Sequence, residues 1–306
     1  MLRALFIYLS ESRPLRAAAE KSAIGQKLSS RFVAGTEVED VLRAAAAINQ
    51  NGATVSIDNL GENVTNADEA RSSAQLYHRL LDEIASRRLQ ANISLKLTHM
   101  GLDVDEKLAR GLVTGLVVKA AALKSFVRVD MEGSPYTQRT LDFVRELHRV
   151  PGHEDAVGTV IQSYLYRSEK DVNDLLAEGI RIRLCKGAYK EPAEIAFQRK
   201  ADVDANYVKL MRILMKSGIY HGLATHDERI INEAEAFAIR ENIPRDAFEF
   251  QMLHGIRRDL QQRLVRDGWR MRVYIPFGTE WYPYFMRRLA ERPANVFFIA
   301  KNLLRA

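Results

Sequence analysis

The pattern of hydrophobic and polar positions changes at Ala53, where short β-rich runs begin to alternate with longer helical runs. The short runs have the length and the β-branched content of strands. The predicted strands are Thr54–Asp58, Ile93–Thr98, Phe126–Met131, Thr159–Leu165, Ile180–Lys186, Leu223–His226, Phe248–Leu253 and Met271–Ile275. The predicted helices begin near Asn66, Asp103, Thr137, Ser168, Glu194, Asp227 and Arg257, and Gly179, Gly218 and Gly268 lie near helix C-termini.

Repeated alternation of strand and helix indicates an α/β fold with a parallel sheet. Eight such units in about 250 residues are the size of a TIM-type (βα)8 barrel, and an open doubly wound sheet is the alternative. Residues 53–306 are therefore predicted to form one barrel domain.

The segment that precedes the barrel, residues 1–52, is predicted to be helical. Alanine-rich stretches at Ala17–Ala19 and Ala44–Ala47 favour helix. Thr36 and Glu39 have the spacing of a capping box, and Gly52 ends that helix.

The composition narrows the possible partners and compartments. The 306 residues carry a formal charge of +6, but acidic residues are interspersed among the basic ones, which favours a solvated surface over a nucleic-acid interface. Such a surface also suits anionic lipid. Cys185 is the one cysteine, so a disulfide within the chain is excluded and a reducing cytoplasm fits. The apolar run Leu5–Leu9 is too short for a membrane span, and no signal peptide is predicted.

Polar residues stand where the predicted strands end, which is where barrels of this type place their chemistry. Asp58 ends the first strand, and Lys96 is expected to point into the barrel from the second. A buried lysine is costly unless it is paired, and Asp130 on the third strand offers a carboxylate. A structural ion pair between Lys96 and Asp130 is the alternative to a functional one.

The later predicted strands contribute three side chains that can carry positive charge. Arg183, Lys186 and His226 together are predicted to neutralise phosphate groups at the barrel mouth. Gly187 allows close approach of a ligand to the backbone. Taken singly, these residues also have structural interpretations: His226 as a helix cap paired with Asp227, and Gln251 as a satisfied core amide.

The stretch after the eighth strand carries an unusual polar face. The strand is expected to break at Pro276 and Gly278, and a helix is expected to start near Pro283. On this helix one face holds Tyr284, Arg287, Arg288 and Glu291. Adjacent arginines suit a carboxylate ligand, while a solvated last helix with an Arg–Glu pair is the alternative.

Several familiar motifs are absent from the sequence. It contains no GxGxxG after a strand, no Walker loop and no HExxH, so neither a Rossmann site nor a metal site is predicted. Cys185 is expected to be buried and to have no catalytic role.

This set of motifs resembles the proline dehydrogenase family, in its monofunctional bacterial form, over roughly Thr54 to Arg292. No single motif is specific, but their order along the chain is. The motifs are Asp58-x-Leu60-Gly61-Glu62, the Lys96 strand, Val129-Asp130-Met131-Glu132, Gln162-Ser163-Tyr164, Arg183-Leu184-x-Lys186-Gly187-Ala188-Tyr189, Ala224-Thr225-His226, Phe248-Glu249-Phe250-Gln251 and Tyr284-x-x-Arg287-Arg288-x-x-Glu291.

The resemblance implies a distorted (βα)8 barrel with C-terminal helices over its mouth and FAD bound without a Rossmann motif. Arg183 would lie near flavin N5. The residues implied to bind the cofactor are Asp130, Met131, Gln162, Arg183, Lys186, Gly187, Ala188, Tyr189, Thr225, His226, Gln251 and Leu253.

The resemblance also implies the substrate site. Arg287, Arg288 and Lys96 would bind the carboxylate of L-proline, Asp130 would orient Tyr274, Glu62 would pair with Arg287, and Tyr284 would press on the proline ring. The implied catalytic set is Lys96, Asp130, Arg183, Tyr274, Tyr284, Arg287, Arg288 and Glu291.

The implied reaction is hydride transfer from proline C5 to FAD N5, which yields Δ1-pyrroline-5-carboxylate. Electrons would pass to a quinone at the inner membrane, the cytoplasmic protein would associate with it peripherally, and the product would go to a separate pyrroline-5-carboxylate dehydrogenase. The oligomeric state stays open. Two other functions are weighed: a Schiff-base lyase or aldolase with Lys96 or Lys186 as nucleophile, and a basic nucleic-acid-binding scaffold.

Overall fold

The computed structural model describes residue 22, residues 29–61 and residues 63–291, with side chains up to residue 286. Most of the predicted N-terminal helical segment therefore lies outside the described residues, as do Glu62 and the side chains of Arg287, Arg288 and Glu291.

Eight parallel strands close into a barrel in which each strand pairs with its neighbour in sequence. The last strand closes the ring by pairing with the first, with Ser56 opposite Tyr274. This confirms the predicted barrel, and the alternative of an open sheet is wrong. The strands are β1 Thr54–Asn59, β2 Ala91–Leu95, β3 Val127–Val129, β4 Val157–Gln162, β5 Arg181–Cys185, β6 His221–Ala224, β7 Phe248–Leu253 and β8 Met271–Phe277.

Helices follow the strands and surround the ring. They are α1 Val38–Gln50, α2 Ala67–Ser86, α3 Glu106–Ala122, α4 Ser134–His148, α5 Ser168–Ala177, α6 Lys200–Lys216, α7 Glu228–Arg240, α8 Arg258–Arg266 and α9 Trp281–Glu291, with a short 3₁₀ turn at Thr98–Met100. Among the described residues, no helix is both long and apolar enough to cross a lipid bilayer.

The side chains of β7 alternate between apolar residues on the outer face of the barrel and polar residues on its inner face. Phe248 and Phe250 lie on the outer face, where both rings contact Trp269 at centroid distances of 5.6 and 5.9 Å. Glu249 and Gln251 alternate with them and are buried on the inner face. Successive strand residues point to opposite faces, so the apolar positions bind the helices to the barrel while the polar ones fill its interior.

Several predicted boundaries are wrong by a few residues. Lys96 does not lie in a strand, because β2 ends at Leu95 and the chain turns into the 3₁₀ segment. The strand β8 does not break at Pro276 but runs on to Phe277, since its pairing with β1 continues past the proline.

Several predicted helix starts also differ from the structure by a few residues. The capping box of α1 is formed by Glu37 and Asp40, one residue beyond the predicted Thr36 and Glu39. The helix predicted near Glu194 begins at Lys200, because the residues before it form a loop held against the barrel.

A short stretch that precedes α1, residues 29–35, packs against α9. Phe32 is buried with its ring centroid 6.0 Å from that of Phe285, in an apolar cluster that also includes Trp281. The backbone N–H of Ala34 donates to the carbonyl of Pro276 at the end of β8. This stretch, called the strap below, therefore packs against α9 and is tied to the end of β8.

Candidate active site

A cavity of about 670 Å³ opens at the carboxyl ends of the strands, beneath α9. Its size is that of a site for a cofactor or a drug-sized ligand. Every predicted site residue whose side chain is described lines it: Lys96, Asp130, Met131, Gln162, Arg183, Lys186, Gly187, Ala188, Tyr189, Thr225, His226, Gln251, Leu253, Tyr274 and Tyr284.

The floor of the cavity is organised around Arg183, whose side chain is 5% exposed. Its Nη1 donates to Oδ1 of Asp130 at 2.6 Å and to Oγ of Ser94 at 3.0 Å. Its Nη2 donates to Oγ of Ser56 at 3.1 Å, and its Nε donates to Oε1 of Gln251 at 2.6 Å. These contacts hold the guanidinium plane in one orientation, since its donors point in fixed directions.

Asp130 joins the guanidinium to a phenol at the wall of the cavity. The hydroxyl of Tyr274 donates to Oδ2 of Asp130 at 3.1 Å, so the predicted contact between these two residues is present. The guanidinium of Arg183 also lies 5.2 Å from the ring centroid of Tyr274. Burial raises the pKa of Tyr274 well above its usual value, which keeps the phenol protonated.

The predicted pairing of Lys96 with Asp130 is wrong. Nζ of Lys96 lies 3.3 Å from Oδ2 of Asp58, while Asp130 is paired with Arg183. The reason is geometric, because Lys96 stands in the turn after β2, next to the end of β1. Burial raises the pKa of Asp58 above its ordinary value, and the neighbouring ammonium of Lys96 acts in the opposite direction.

Lys186 belongs to a group of four charges at the rim. Its Nζ lies 2.5 Å from Oδ1 of Asp204 and 2.8 Å from Oδ2 of Asp227, and Lys200 contacts both carboxylates as well. Burial works against ionisation of Asp227, yet its pKa falls to about 2 because Lys186 and Lys200 donate hydrogen bonds to it. The group therefore holds two cations at the cavity mouth in fixed positions.

Hydrogen bonds to the start of α7 and to the end of β7 hold Thr225 and His226 in place. Oγ1 of Thr225 accepts from the N–H of Asp227, whose own side chain caps α7 by accepting from the N–H of Arg229. Nε2 of His226 accepts from the N–H of Leu253 at 2.9 Å. The imidazole is thus held at the rim by the backbone of β7.

Gln162, at the end of β4, presents an acceptor with no donor. Its Nε2 donates to the carbonyls of Met131 and Glu132 at 3.1 and 3.3 Å. Its Oε1 is buried, and among the described residues nothing donates to it. A buried acceptor left in this state costs about 1–3 kcal/mol unless a ligand supplies the donor. The site therefore fits a group that carries an N–H, as the isoalloxazine of FAD does.

The loop after β5 is held closely to the barrel. Gly187 has φ +117°, and a Cβ there would overlap the ring of Tyr164. Glu191 farther along the loop accepts hydrogen bonds from the N–H and the hydroxyl of Ser134, at the start of α4, at 2.7 and 2.6 Å. Gly187 therefore packs closely against Tyr164, and its approach to a ligand stays a prediction.

The lid of the cavity is α9, which begins at Trp281, two residues before the predicted start. Tyr284 on this helix is buried and lines the cavity. The predicted carboxylate-binding pair Arg287 and Arg288, as well as Glu291, have side chains outside the described ones.

The sequence model of the family described as Proline dehydrogenase matches residues 41–301 of this chain. The chain belongs to the proline dehydrogenase family. Membership makes the protein an oxidoreductase of the proline dehydrogenase type, which acts in the first step of proline catabolism.

Similarity to characterised relatives extends over the whole length. The chain is 39% identical over 306 residues to proline dehydrogenase 1 of Bacillus subtilis subsp. natto, which covers 100% of both chains. It is 41% identical over 281 residues to proline dehydrogenase of Deinococcus radiodurans, which covers 91% of this chain and 90% of the other.

Similarity of structure confirms the barrel. Proline utilization A of Bdellovibrio bacteriovorus superposes with a TM-score of 0.82 at 26% identity, over 94% of this chain and 34% of that one. The chain therefore spans about a third of the length of that larger protein.

Some residues that line the cavity were not predicted from the sequence. Lys200, Val160 and Glu228 line the cavity without belonging to any motif quoted from the sequence. A signal existed for Lys200, since it stands four residues before Asp204 at the start of a helix. Burial raises the pKa of Cys185 to about 11, so its thiol is protonated at neutral pH. The predicted absence of a catalytic role for this thiol stays a prediction.

Proposed function

We propose that the protein oxidises L-proline to Δ1-pyrroline-5-carboxylate with FAD bound in the cavity beneath α9. The observation that carries this proposal is the placement of Arg183, which four residues on or directly after different strands hold at the floor of the cavity. A cation fixed in this way stabilises negative charge that develops on a cofactor above it.

The described residues fit the cofactor. When bound, FAD supplies the two-electron acceptor for the hydride that leaves C5 of proline. Oε1 of Gln162 would accept a hydrogen bond from an N–H of its ring system, and Lys186 with the N-terminus of α7 would hold its phosphates. The other proposed cofactor contacts are those of Met131, Gly187, Ala188, Tyr189, Thr225, His226 and Leu253.

The substrate is proposed to lie between this floor and the lid. Lys96 reaches the cavity from the rim, where Asp58 orients its ammonium, and we propose that it binds the proline carboxylate together with Arg287 and Arg288. Tyr284 covers the ring of proline from above, and helix α9 excludes water from the site.

The purified protein tests the proposal directly. It should show the absorption bands of an oxidised flavin, and anaerobic addition of L-proline should bleach them. D-proline is the matched control and should leave the spectrum unchanged. A protein that stays colourless after incubation with FAD would contradict the proposal.

Two substitutions separate the proposed roles. Arg288→Ala should weaken the binding of proline while flavin is retained, and Arg183→Ala should impair the reactivity or the retention of flavin. If both variants reduced flavin with proline as fast as the parent, the proposed roles would be wrong.

The electrons are proposed to leave through a quinone at the inner membrane, to which the cytoplasmic protein binds peripherally. Association is proposed to use the basic residues before the strap, and a separate pyrroline-5-carboxylate dehydrogenase is proposed to take the product. Co-sedimentation with anionic liposomes tests this, comparing the full chain with a variant lacking residues 1–28. The deletion should stop before Ser29, because the strap packs against α9. Equal co-sedimentation of both proteins would contradict the membrane role.

The alternative of a Schiff-base enzyme fits the site less well. Such a nucleophile must be a neutral amine, and a nearby carboxylate favours the ammonium. Lys96 is paired with Asp58, and Lys186 lies between Asp204 and Asp227. Failure to trap an adduct with borohydride is therefore the expected result.

The nucleic-acid alternative also fits poorly, because many surface cations are paired with acids. Examples are Arg87 with Glu39 at 2.8 Å and Arg263 with Glu235 at 3.1 Å. Tight, salt-sensitive binding to DNA or RNA is not expected.

A further inference from the structure

Glu249 is a buried acid of the barrel interior to which the proposed reaction gives no role. It lies on the inner face of β7, two residues before Gln251, so both side chains point the same way. Gly222 on β6 stands opposite Glu249 on one side and opposite Arg183 on the other. A Cβ at Gly222 would overlap the amide of Gln251, so this glycine leaves the gap through which Gln251 reaches Arg183.

The amide of Gln251 links the acid to the guanidinium. Its Nε2 donates to Oε1 of Glu249 at 2.6 Å, and its Oε1 accepts from Nε of Arg183 at 2.6 Å. The two ends of an amide are different, because one only donates and the other only accepts. With an acceptor at Glu249, the carbonyl end of Gln251 must face Arg183.

Glu249 is itself held from two sides. Its Oε1 also accepts from Nε of Arg272 at 2.6 Å, and its Oε2 accepts from the hydroxyl of Tyr220 at 2.8 Å. Arg272 in turn donates to the carbonyl of Val55 and to Asn92. Burial opposes ionisation of Glu249, but its pKa is lowered because the charge of Arg272 and the hydrogen bonds from Arg272, Tyr220 and Gln251 together outweigh the effect of burial. The carboxylate therefore cannot turn away from Gln251 without breaking these contacts.

We propose that Glu249 is a positioning residue for proline oxidation, which acts through Gln251 to fix the guanidinium of Arg183 at the floor of the cavity. If the Gln251 amide turned over, its NH₂ would face Nε–H of Arg183, and two donors would oppose each other. The guanidinium would then rotate away from the orientation in which Nη1 contacts Asp130 and Ser94. This inference rests on the proposed function, because that function is what requires the guanidinium of Arg183 to be held in place.

A purely structural role would make different predictions, and Glu249→Met and Glu249→Gln separate the two. Methionine removes the acceptor at similar length. Glutamine keeps a carbonyl oxygen at Oε1 for both Gln251 and Arg272, and its NH₂ can donate to Tyr220. Positioning requires an acceptor, so glutamine should function nearly as the parent does, whereas a role as the counter-ion of Arg272 requires a charge, which both variants lose.

The first measurement needs no cofactor. In apoprotein labelled with ¹⁵N-arginine, the Nε–H signal of Arg183, assigned with Arg183→Lys, should shift and exchange faster with solvent in Glu249→Met. It should keep its position in Glu249→Gln. Tyr220→Phe is the matched control, because it removes another contact of Glu249 and leaves Gln251 untouched.

The second measurement follows anaerobic flavin reduction by L-proline. Glu249→Met should lower the limiting rate about tenfold, as loss of a group that orients a functional side chain commonly does, with KM changed less than about twofold. The midpoint potential of the flavin should also change in Glu249→Met. In a Gln251→Met background Glu249→Met should have no further effect, because the two residues act in series.

A variant that compensates the buried charge covers the case in which Glu249→Met does not fold. The double variant Glu249→Met, Arg272→Met replaces the buried ion pair by an apolar pair, which folded proteins often tolerate. It should show the same change in the Arg183 signal and the same loss of rate as Glu249→Met alone. The proposal is overturned if the Arg183 signal and the rate stay unchanged, if glutamine is as harmful as methionine, or if the losses add in the Gln251→Met background. Absence of flavin in the parent would instead contradict the proposed function, and the apoprotein spectrum would still decide the role of Glu249.

Discussion

Nζ of Lys96 lies 3.3 Å from Oδ2 of Asp58, and the two side chains are 12% and 2% exposed. The lysine follows β2 and the aspartate is part of β1, so the pair joins adjacent strands at the mouth of the barrel. A cation anchored in this way at the cavity wall is held ready for an anionic ligand, because the carboxylate of Asp58 fixes the position of the ammonium.

Loss of this ammonium should weaken substrate binding specifically. Lys96→Met should raise KM for L-proline by about tenfold to a hundredfold, since a charge-assisted hydrogen bond contributes about 1.5–3 kcal/mol. Asp58→Asn keeps the ammonium but loosens its position and should raise KM less. Steady-state kinetics give both values, and the flavin spectrum should be unchanged in each variant. An unaltered KM in Lys96→Met would remove the lysine from the substrate site.

The rim cluster should govern affinity for the cofactor. Lys186→Met should raise the Kd for FAD by about tenfold or more, because one charge facing the phosphates is lost. Quenching of flavin fluorescence on addition to apoprotein measures this. Lys209→Met is the matched control, since Lys209 forms an exposed pair with Glu169 away from the cavity lining. Equal affinities in the two variants would contradict a role for Lys186.

Acid should destabilise the barrel partly through His221. Burial, with a contribution from Arg128, lowers the pKa of His221 to about 3, so the folded state binds its proton less readily than the unfolded chain. Stability is therefore lost as pH falls below about 6.5, the ordinary pKa of histidine. Protonation of His221 in the unfolded chain should lower the free energy of unfolding by about 2 kcal/mol between pH 7 and pH 5.

Urea unfolding at pH 7 and pH 5 tests that cost. In His221→Asn, the amide oxygen can accept from the N–H of Ile182 as Nδ1 now does, but it does not titrate. The variant should lose about 2 kcal/mol less than the parent over this range. Identical losses in both proteins would show that His221 is not the titrating group.

A side chain at Gly187 should strain the loop after β5. Gly187→Ala should lower the free energy of unfolding by about 1–3 kcal/mol, because φ is +117° and the new Cβ would overlap Tyr164. Gly111→Ala is the control, since Gly111 lies within α3 with nothing near its Cβ. That change should be neutral or stabilise by up to about 1 kcal/mol. Equal effects would mean that Tyr164 yields without cost.

The barrel was predictable because its signal is repeated. Each of eight strands shows the same apolar texture and each is followed by a helix, so an error of a few residues at Lys96 or Pro276 does not alter the topology. The positions at strand ends were predictable for the same reason, since the parallel arrangement brings all carboxyl ends to one rim.

Partners inside the barrel were less predictable, because they depend on the direction that each side chain takes at a strand end and on which residues meet across the barrel. Lys96 was assigned to Asp130 from its neighbouring strand, whereas the turn after Leu95 carries it to Asp58. Gly222 attracted no notice in the sequence, since its importance arises only when Gln251 reaches over it to Arg183. The sequence of β6 alone does not show that Gly222 leaves room for Gln251.

The closure of the ring has a consequence for how the protein matures. One guanidinium, that of Arg183, receives contacts from Ser56 on the first strand, Ser94 on the second, Asp130 after the third and Gln251 on the seventh. A nascent chain that still lacks its last segments has no such assembly to offer. Capture of the proposed FAD should therefore come late in biosynthesis, and a protein that shows flavin absorption should be one whose ring is already complete.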